Sequence, residues 1–262
     1  MVLKNQEGMS LIEVIIAILL VGIAIIPLLQ FFVTGSTFTA IARHEVTALN
    51  FAQELIEELK SVTSKQIGVA RESTETGNSK IRLASDAGNI MINDLISITA
   101  GKGEGQVRRI TGYEGSTQVA TVSPVWDPDM APDATSHYLV CGNGSILTGA
   151  AQSGSVNTVK LAGDENGKSD FFKDYYIKIA GGAGSGQVQK IKAYDGTTKI
   201  ATVEANWSTP PNATSFYKLY RYEYKIEVPV ATENLKTIKV TTYYPSGGSL
   251  KELSLTTEKH KR

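Results

Sequence analysis

The chain has 262 residues, enough for one large domain or two modest ones, and its 26 Lys+Arg balance its 26 Asp+Glu. That balance excludes a global electrostatic pull toward nucleic acid or an acidic surface. One cysteine, Cys141, excludes an intrachain disulfide and a four-cysteine metal site, and His44, His137 and His260 lack ligand spacing.

The first element is apolar. Val14 to Val33 is a run of 20 residues with no charge and a single Gln. As a helix at about 1.5 Å per residue it crosses a hydrocarbon layer of roughly 30 Å. A conventional secretory peptide has a shorter apolar run, with its cleavage site after it. Here the polar residues precede the run, from Lys4 through Gly8, Ser10 and Glu13, and Thr34 to Ile41 continue the helical pattern. Glu13 stands beside the span, where a carboxylate is costly and marks function.

Gly8-Met9-Ser10-Leu11-Ile12-Glu13-Val14 resembles the prepilin signature of type IV pilins. The resemblance implies cleavage between Gly8 and Met9 by a prepilin peptidase, leaving 1–8 as a leader. It also implies N-methylation of Met9, with Glu13 as the fifth residue of the mature chain. In a bundle of such helices, Glu13 can pair with the free amine of Met9 on a neighbour and set the axial register. Pro27 lacks an amide hydrogen and is expected to kink or locally melt the helix, a position where the family often carries a helix breaker.

The second half of the helix is amphipathic. Across Ala40 to Val62, the residues Ile41, Val46, Leu49, Ala52, Leu55, Ile56 and Leu59 recur at three and four. Glu54, Glu57 and Glu58 with Lys60 are expected to form its solvated face. Residues 8 to 62 together resemble the long helix of pilins and pseudopilins.

An internal repeat fills the middle. Ile98–Trp126 and Ile179–Trp207 align over 29 positions at a constant offset of 81, with 14 identities. Each copy reads as β, with turns at Glu114-Gly115 and Asp195-Gly196. The Gly-x-Gly-x-Gly-Gln segments (Gly101 to Gln106, Gly182 to Gln187) are followed by a strand, not by the helix a nucleotide loop requires. Trp126 and Trp207 are read as core anchors of the copies. The repeat resembles a short β module of phage virion and surface proteins, which implies display or packing. The copies are placed at 80–141 and 158–220, with 142–157 as a Gly/Ser-rich linker.

At the C-terminus Tyr222–Val228, Leu235–Tyr244 and Ser249–Thr257 alternate with period two, and Pro245 to Gly248 forms a turn. Lys259 to Arg262 reads as a solvated tail. The expected fold is α+β: a long N-terminal helix packed on an antiparallel C-terminal sheet, a discontinuous unit of 9–79 plus 221–262, with the repeats inserted as an outward appendage.

With no nucleophile–base pair, metal spacing or cofactor loop, no enzyme, cofactor or metal is expected. The resemblance implies a minor pilin or pseudopilin, displaying its repeats on a type IV pilus-like filament. Its partners would be the prepilin peptidase, other pilin subunits, the inner-membrane assembly platform and, before assembly, membrane lipid. Its place would be the inner membrane with the head outside, then an extracellular or periplasmic filament. An adhesive module on the filament, or a competence pseudopilin aiding DNA uptake, are the alternatives. The latter would gain from a basic stripe; Lys102, Arg108 and Arg109, with only Lys190 and Lys192 as counterparts, form a modest cluster, so no nucleic-acid partner is expected.

Overall fold

The computed structural model describes residues 10–72, 78–142, 147–232 and 234–260. Gly8 and Met9, the expected cleavage and methylation positions, lie outside them. Among the described residues one α-helix, α1 (Leu11–Ser61), leads into sixteen strands. Those of the first copy are β1 (Ile67–Val69), β2 (Lys80–Arg82), β3 (Leu95–Ala100), β4 (Val107–Glu114), β5 (Val119–Ser123) and β6 (His137–Cys141). Next come β7 (Thr148–Ala150), β8 (Ser153–Gly154), β9 (Thr158–Lys160), β10 (Tyr176–Gly181), β11 (Val188–Asp195), β12 (Ile200–Val203) and β13 (Phe216–Tyr220). The chain ends in β14 (Glu223–Ala231), β15 (Leu235–Ser246) and β16 (Ser249–His260).

The two repeats have the same topology. The first sheet runs β1-β6-β3-β4-β5-β2 and the second β7-β13-β10-β11-β12-β9-β8. In the second copy β7 and β8 are two halves of one bent strand; one half pairs with β13 and the other with β9. In the first copy β1 pairs with β6, and Arg71 just beyond it bridges to Arg82 on β2. Each sheet therefore curls until its edges meet, which leaves few unpaired edge groups.

These pairings correct the domain boundaries. The first copy begins at β1, inside the expected 9–79 unit, and the second at β7, inside the expected 142–157 linker. Gly68 and Gly149 hold equivalent places. A side chain at Gly149 would collide with the Tyr217 hydroxyl, and one at Gly68 would crowd that of Tyr138. Short strands with few identities hid these positions, because the signal there is one glycine and one small residue.

The antiparallel sheet β14-β15-β16 carries the expected meander, closed by a hairpin at Gly247 and Gly248, both at positive φ. The C-terminal tail is partly a strand: Lys259 lies in β16, and its ammonium donates to the Lys60 and Val62 carbonyls at the end of α1.

The inserted copies are not a free appendage. One core joins Phe51, Leu55 and Leu59 of α1 to Val159, Ile177 and Leu219 of the second copy and to Ile226, Ile238 and Val240 of the C-terminal sheet. Phe51 meets Tyr175 edge to face at 6.3 Å and Tyr224 at 5.8 Å. The first copy has its own core around Trp126, Ile96, Ile98, Tyr138 and Val140. A third, smaller cluster (Leu95, Val107, Cys141, Ala150, Ala180, Phe216) joins the two copies. Large aromatic side chains in the second copy supply enough apolar area to cover the helix, so it packs there instead of projecting outward.

Candidate functional site

The helix is the chemically distinctive element, and its two halves differ sharply. From Leu11 to Val33 the large apolar side chains are all exposed, from 37% at Val14 to 79% at Phe31. This is the single described helix long and apolar enough to cross a membrane, and none of its most apolar window is buried. Such a surface is unstable in water and needs lipid or neighbouring helices to cover it.

The helix start is built from Ser10 and Glu13. Ser10 is the N-cap; its hydroxyl accepts from the Ile12 amide at 3.3 Å, and its own amide donates to Glu13 Oε2 at 3.0 Å. Glu13, an acid in the first turn, also complements the positive end of the helix dipole. α1 runs through Pro27 without interruption, so of the two expected outcomes the local melting does not occur. A proline removes one helical hydrogen bond, and the helix continues on both sides of it.

The second half is seated in the head. The buried stripe is Ala48, Phe51, Ala52, Leu55, Ile56 and Leu59, whereas Val46 is 57% exposed. Val46 sits two residues before Ala48, about 200° around the helix, and so leaves the stripe. The expected solvated acidic face is also corrected. Glu57 is exposed and pairs with Lys60 at 2.6 Å. Glu54 and Glu58 instead turn toward the second copy and line a cavity of about 250 Å³ with Leu147, Asp164, Glu165 and Phe172. Burial, reinforced by Glu54, pushes Glu58 up to about 7. Burial does the same to Glu165, also up to about 7, although the Tyr217 hydroxyl donates to it at 2.5 Å. Among the described residues no group of His, Cys, Asp or Glu is arranged to hold a metal ion.

Lys236 is the feature that the alternating pattern hid. It occupies an inward position on β15 and is 1% exposed. Its ammonium donates to the Ser64 and Ile67 carbonyls at 2.6 and 2.8 Å and pairs with Asp86 at 2.9 Å. It thereby joins the helix exit, the first copy and the C-terminal sheet. A lysine amid apolar inward residues (Ile238, Val240) was the available signal.

Trp126 and Trp207 are 0% and 3% exposed, each within the core that its copy contributes to. The Gly-x-Gly-x-Gly segments form the turns β3–β4 and β10–β11, with all six glycines at positive φ. A side chain at Gly101 or Gly182 would collide with the carbonyl of Thr135 or Thr214, so these are tight strand connections. Arg108 is buried, not a free surface cation. It donates to the Val125 carbonyl at 3.0 Å and the Ala180 carbonyl of the second copy at 3.0 Å, and stacks 5.3 Å from the Trp126 ring centroid. Its equivalent in the second copy is Gln189, the one sequence sign that the two positions differ in role. Cys141 is buried between the copies, and burial pushes its thiol up to about 11.

An N-terminal helix with a bare apolar half and a half fixed to a β-rich head gives a head-and-stalk protein whose stalk is long and apolar enough to cross a membrane. Residues 3–29 match the prokaryotic N-terminal methylation motif, which supports a type IV pilin-like protein. That motif implies processing by a prepilin peptidase and assembly with other pilin subunits, and with the apolar helix it points to membrane anchoring. No curated protein and no solved structure gives a significant match to the chain.

Proposed function

We propose that the chain is a non-catalytic minor pilin or pseudopilin, processed between Gly8 and Met9 and built into a type IV pilus-like filament through α1. The observation that carries this reading is the methylation motif on a helix whose first half is wholly uncovered by its own head. The uncovered half serves twice: it spans the membrane before assembly and packs against other subunits afterwards. Glu13 has a cap partner in the lone subunit, the Ser10 amide, and exchanges it for the Met9 amine of a neighbour on assembly. A head of two barrels is bulky, which favours a low-copy position in the filament over the repeating shaft.

Glu13→Ala tests the reading. The variant should insert in the membrane and lose its leader as the wild type does, yet fail to appear in sheared filaments. Normal incorporation would refute the pairing. N-terminal sequencing of the mature chain should read from Met9, and any other start would overturn the processing assignment.

A further inference from the structure

Where α1 leaves its apolar run, the head folds over it and forms a groove of about 900 Å³, lined by Ser36, Arg43, His44, Lys190, Arg221 and Tyr222. This is the end of the head nearest the span. Ser36 to Thr47 lie 3 to 14 residues beyond Val33, or roughly 5–21 Å along the axis. The polar layer of a bilayer occupies about the first 5–7 Å of that distance. Arg43, ten residues and roughly 15 Å beyond Val33, has its backbone outside that layer, and its long side chain, leaning toward the N-terminus as helical side chains do, is directed back to it. Phe38, 65% exposed and about 7.5 Å beyond Val33, lies at the edge of that layer, and the groove above it carries Tyr176, which stacks on Tyr220 at 5.7 Å, and Tyr222, which shares a 2.9 Å hydrogen bond with His44.

The charges in the groove are not equivalent. Lys190 is already neutralised by Asp174 at 2.7 Å and Glu204 at 3.6 Å. Arg43 and Arg221 are exposed and form no ion pair among the described residues, although Asp174 and Glu54 feel the charge of Arg221. Arg221 lies against the Tyr175 ring at 5.1 Å, which holds its guanidinium at the groove wall. Two unpaired, planar donors beside a hydroxyl-lined helix face suit a phosphate that also carries a net negative charge.

Resting on the reading that α1 spans a membrane, we propose that this groove binds the headgroup of an anionic phospholipid in that membrane, through Arg43 and Arg221. The bound lipid holds the head against the surface and fixes the helix's depth before the subunit is extracted into a filament.

The full chain, solubilised with an equimolar mixture of phosphatidylglycerol and phosphatidylcholine, is analysed by native mass spectrometry for retained lipid. Phosphatidylglycerol should be preferred by roughly fivefold for each arginine. The double variant Arg43→Gln, Arg221→Gln should lose that preference, while Arg43→Lys, Arg221→Lys should retain most of it. Equal retention of both lipids by the wild type, or an unchanged preference in the glutamine variant, would overturn the proposal. So would displacement of the lipid by excess inorganic phosphate, which would mark a site for a free anion. Carbonate extraction of membranes separates the two readings. Retention of every variant in the pellet leaves the span intact whatever the lipid preference, and release of the wild type would remove both.

Discussion

Glu165→Gln isolates the carboxyl cavity between α1 and the second barrel. Glu165 is 8% exposed, and its folded value of about 7 stands above an ordinary 4.5. The folded chain therefore holds this proton more tightly than the unfolded chain, and the stabilisation is complete below pH 4.5 and lost as pH rises through 7. A raised value of this size corresponds to about 3 kcal/mol in full, most of which falls between pH 5 and pH 8. Glutamine keeps an acceptor for the Tyr217 hydroxyl and removes the charge. Urea unfolding of the detergent-solubilised full chain at pH 5, 6, 7 and 8 gives the stability difference between variant and wild type at each pH. That difference should grow in favour of the variant by roughly 2 kcal/mol across the series. Glu58 contributes in the same direction, and His137, held below its ordinary value by burial, in the opposite one. Both are present in the two proteins and largely cancel in the difference. A difference that stays constant from pH 5 to pH 8 would refute the reasoning.

Lys236→Met removes the buried ammonium that bonds Asp86 and the Ser64 and Ile67 carbonyls, and should cost about 3 kcal/mol in the same urea assay. Arg108→Gln makes the first copy resemble the second at this position. It should cost roughly 2 kcal/mol by removing charged hydrogen bonds, including the one that crosses to Ala180. Trp126→Ala should cost about 3–5 kcal/mol through the cavity it leaves, read as an earlier unfolding midpoint. Cys141 should resist a thiol reagent in the folded chain at pH 7 and react quickly in urea, because its thiol is both buried and held near 11.

The N-terminal helix was legible in the sequence because length, apolarity and heptad-like spacing all act locally, and Leu11–Ser61 is one element. The C-terminal strands were legible for the same reason, through their period of two. The barrels were legible as a repeat but not as closed sheets. Closure depends on β1 and β7, three residues each, whose pairing partners lie some 70 residues away. The helix seat was misread at Glu58 because a glutamate on a helix face is ordinarily solvated. Only the position of the second barrel, set by aromatic contacts such as Phe51–Tyr175, covers it. Arg108 was misread on similar grounds: its burial is decided by Ala180 and Trp126, neither of which is a sequence neighbour.

In each barrel the opening strand lies beside the closing one, Ile67 against Leu139 and Gly149 against Tyr217. A unit whose two ends emerge together can be copied or deleted in a gene without parting the flanking segments. The short stretch from Gly142 to Leu147 is all that separates the existing pair. The second barrel is fixed by the core it shares with the helix and the three-stranded sheet, so the first barrel, built around its own core, is the copy whose number a duplication changes at least cost to the rest of the head.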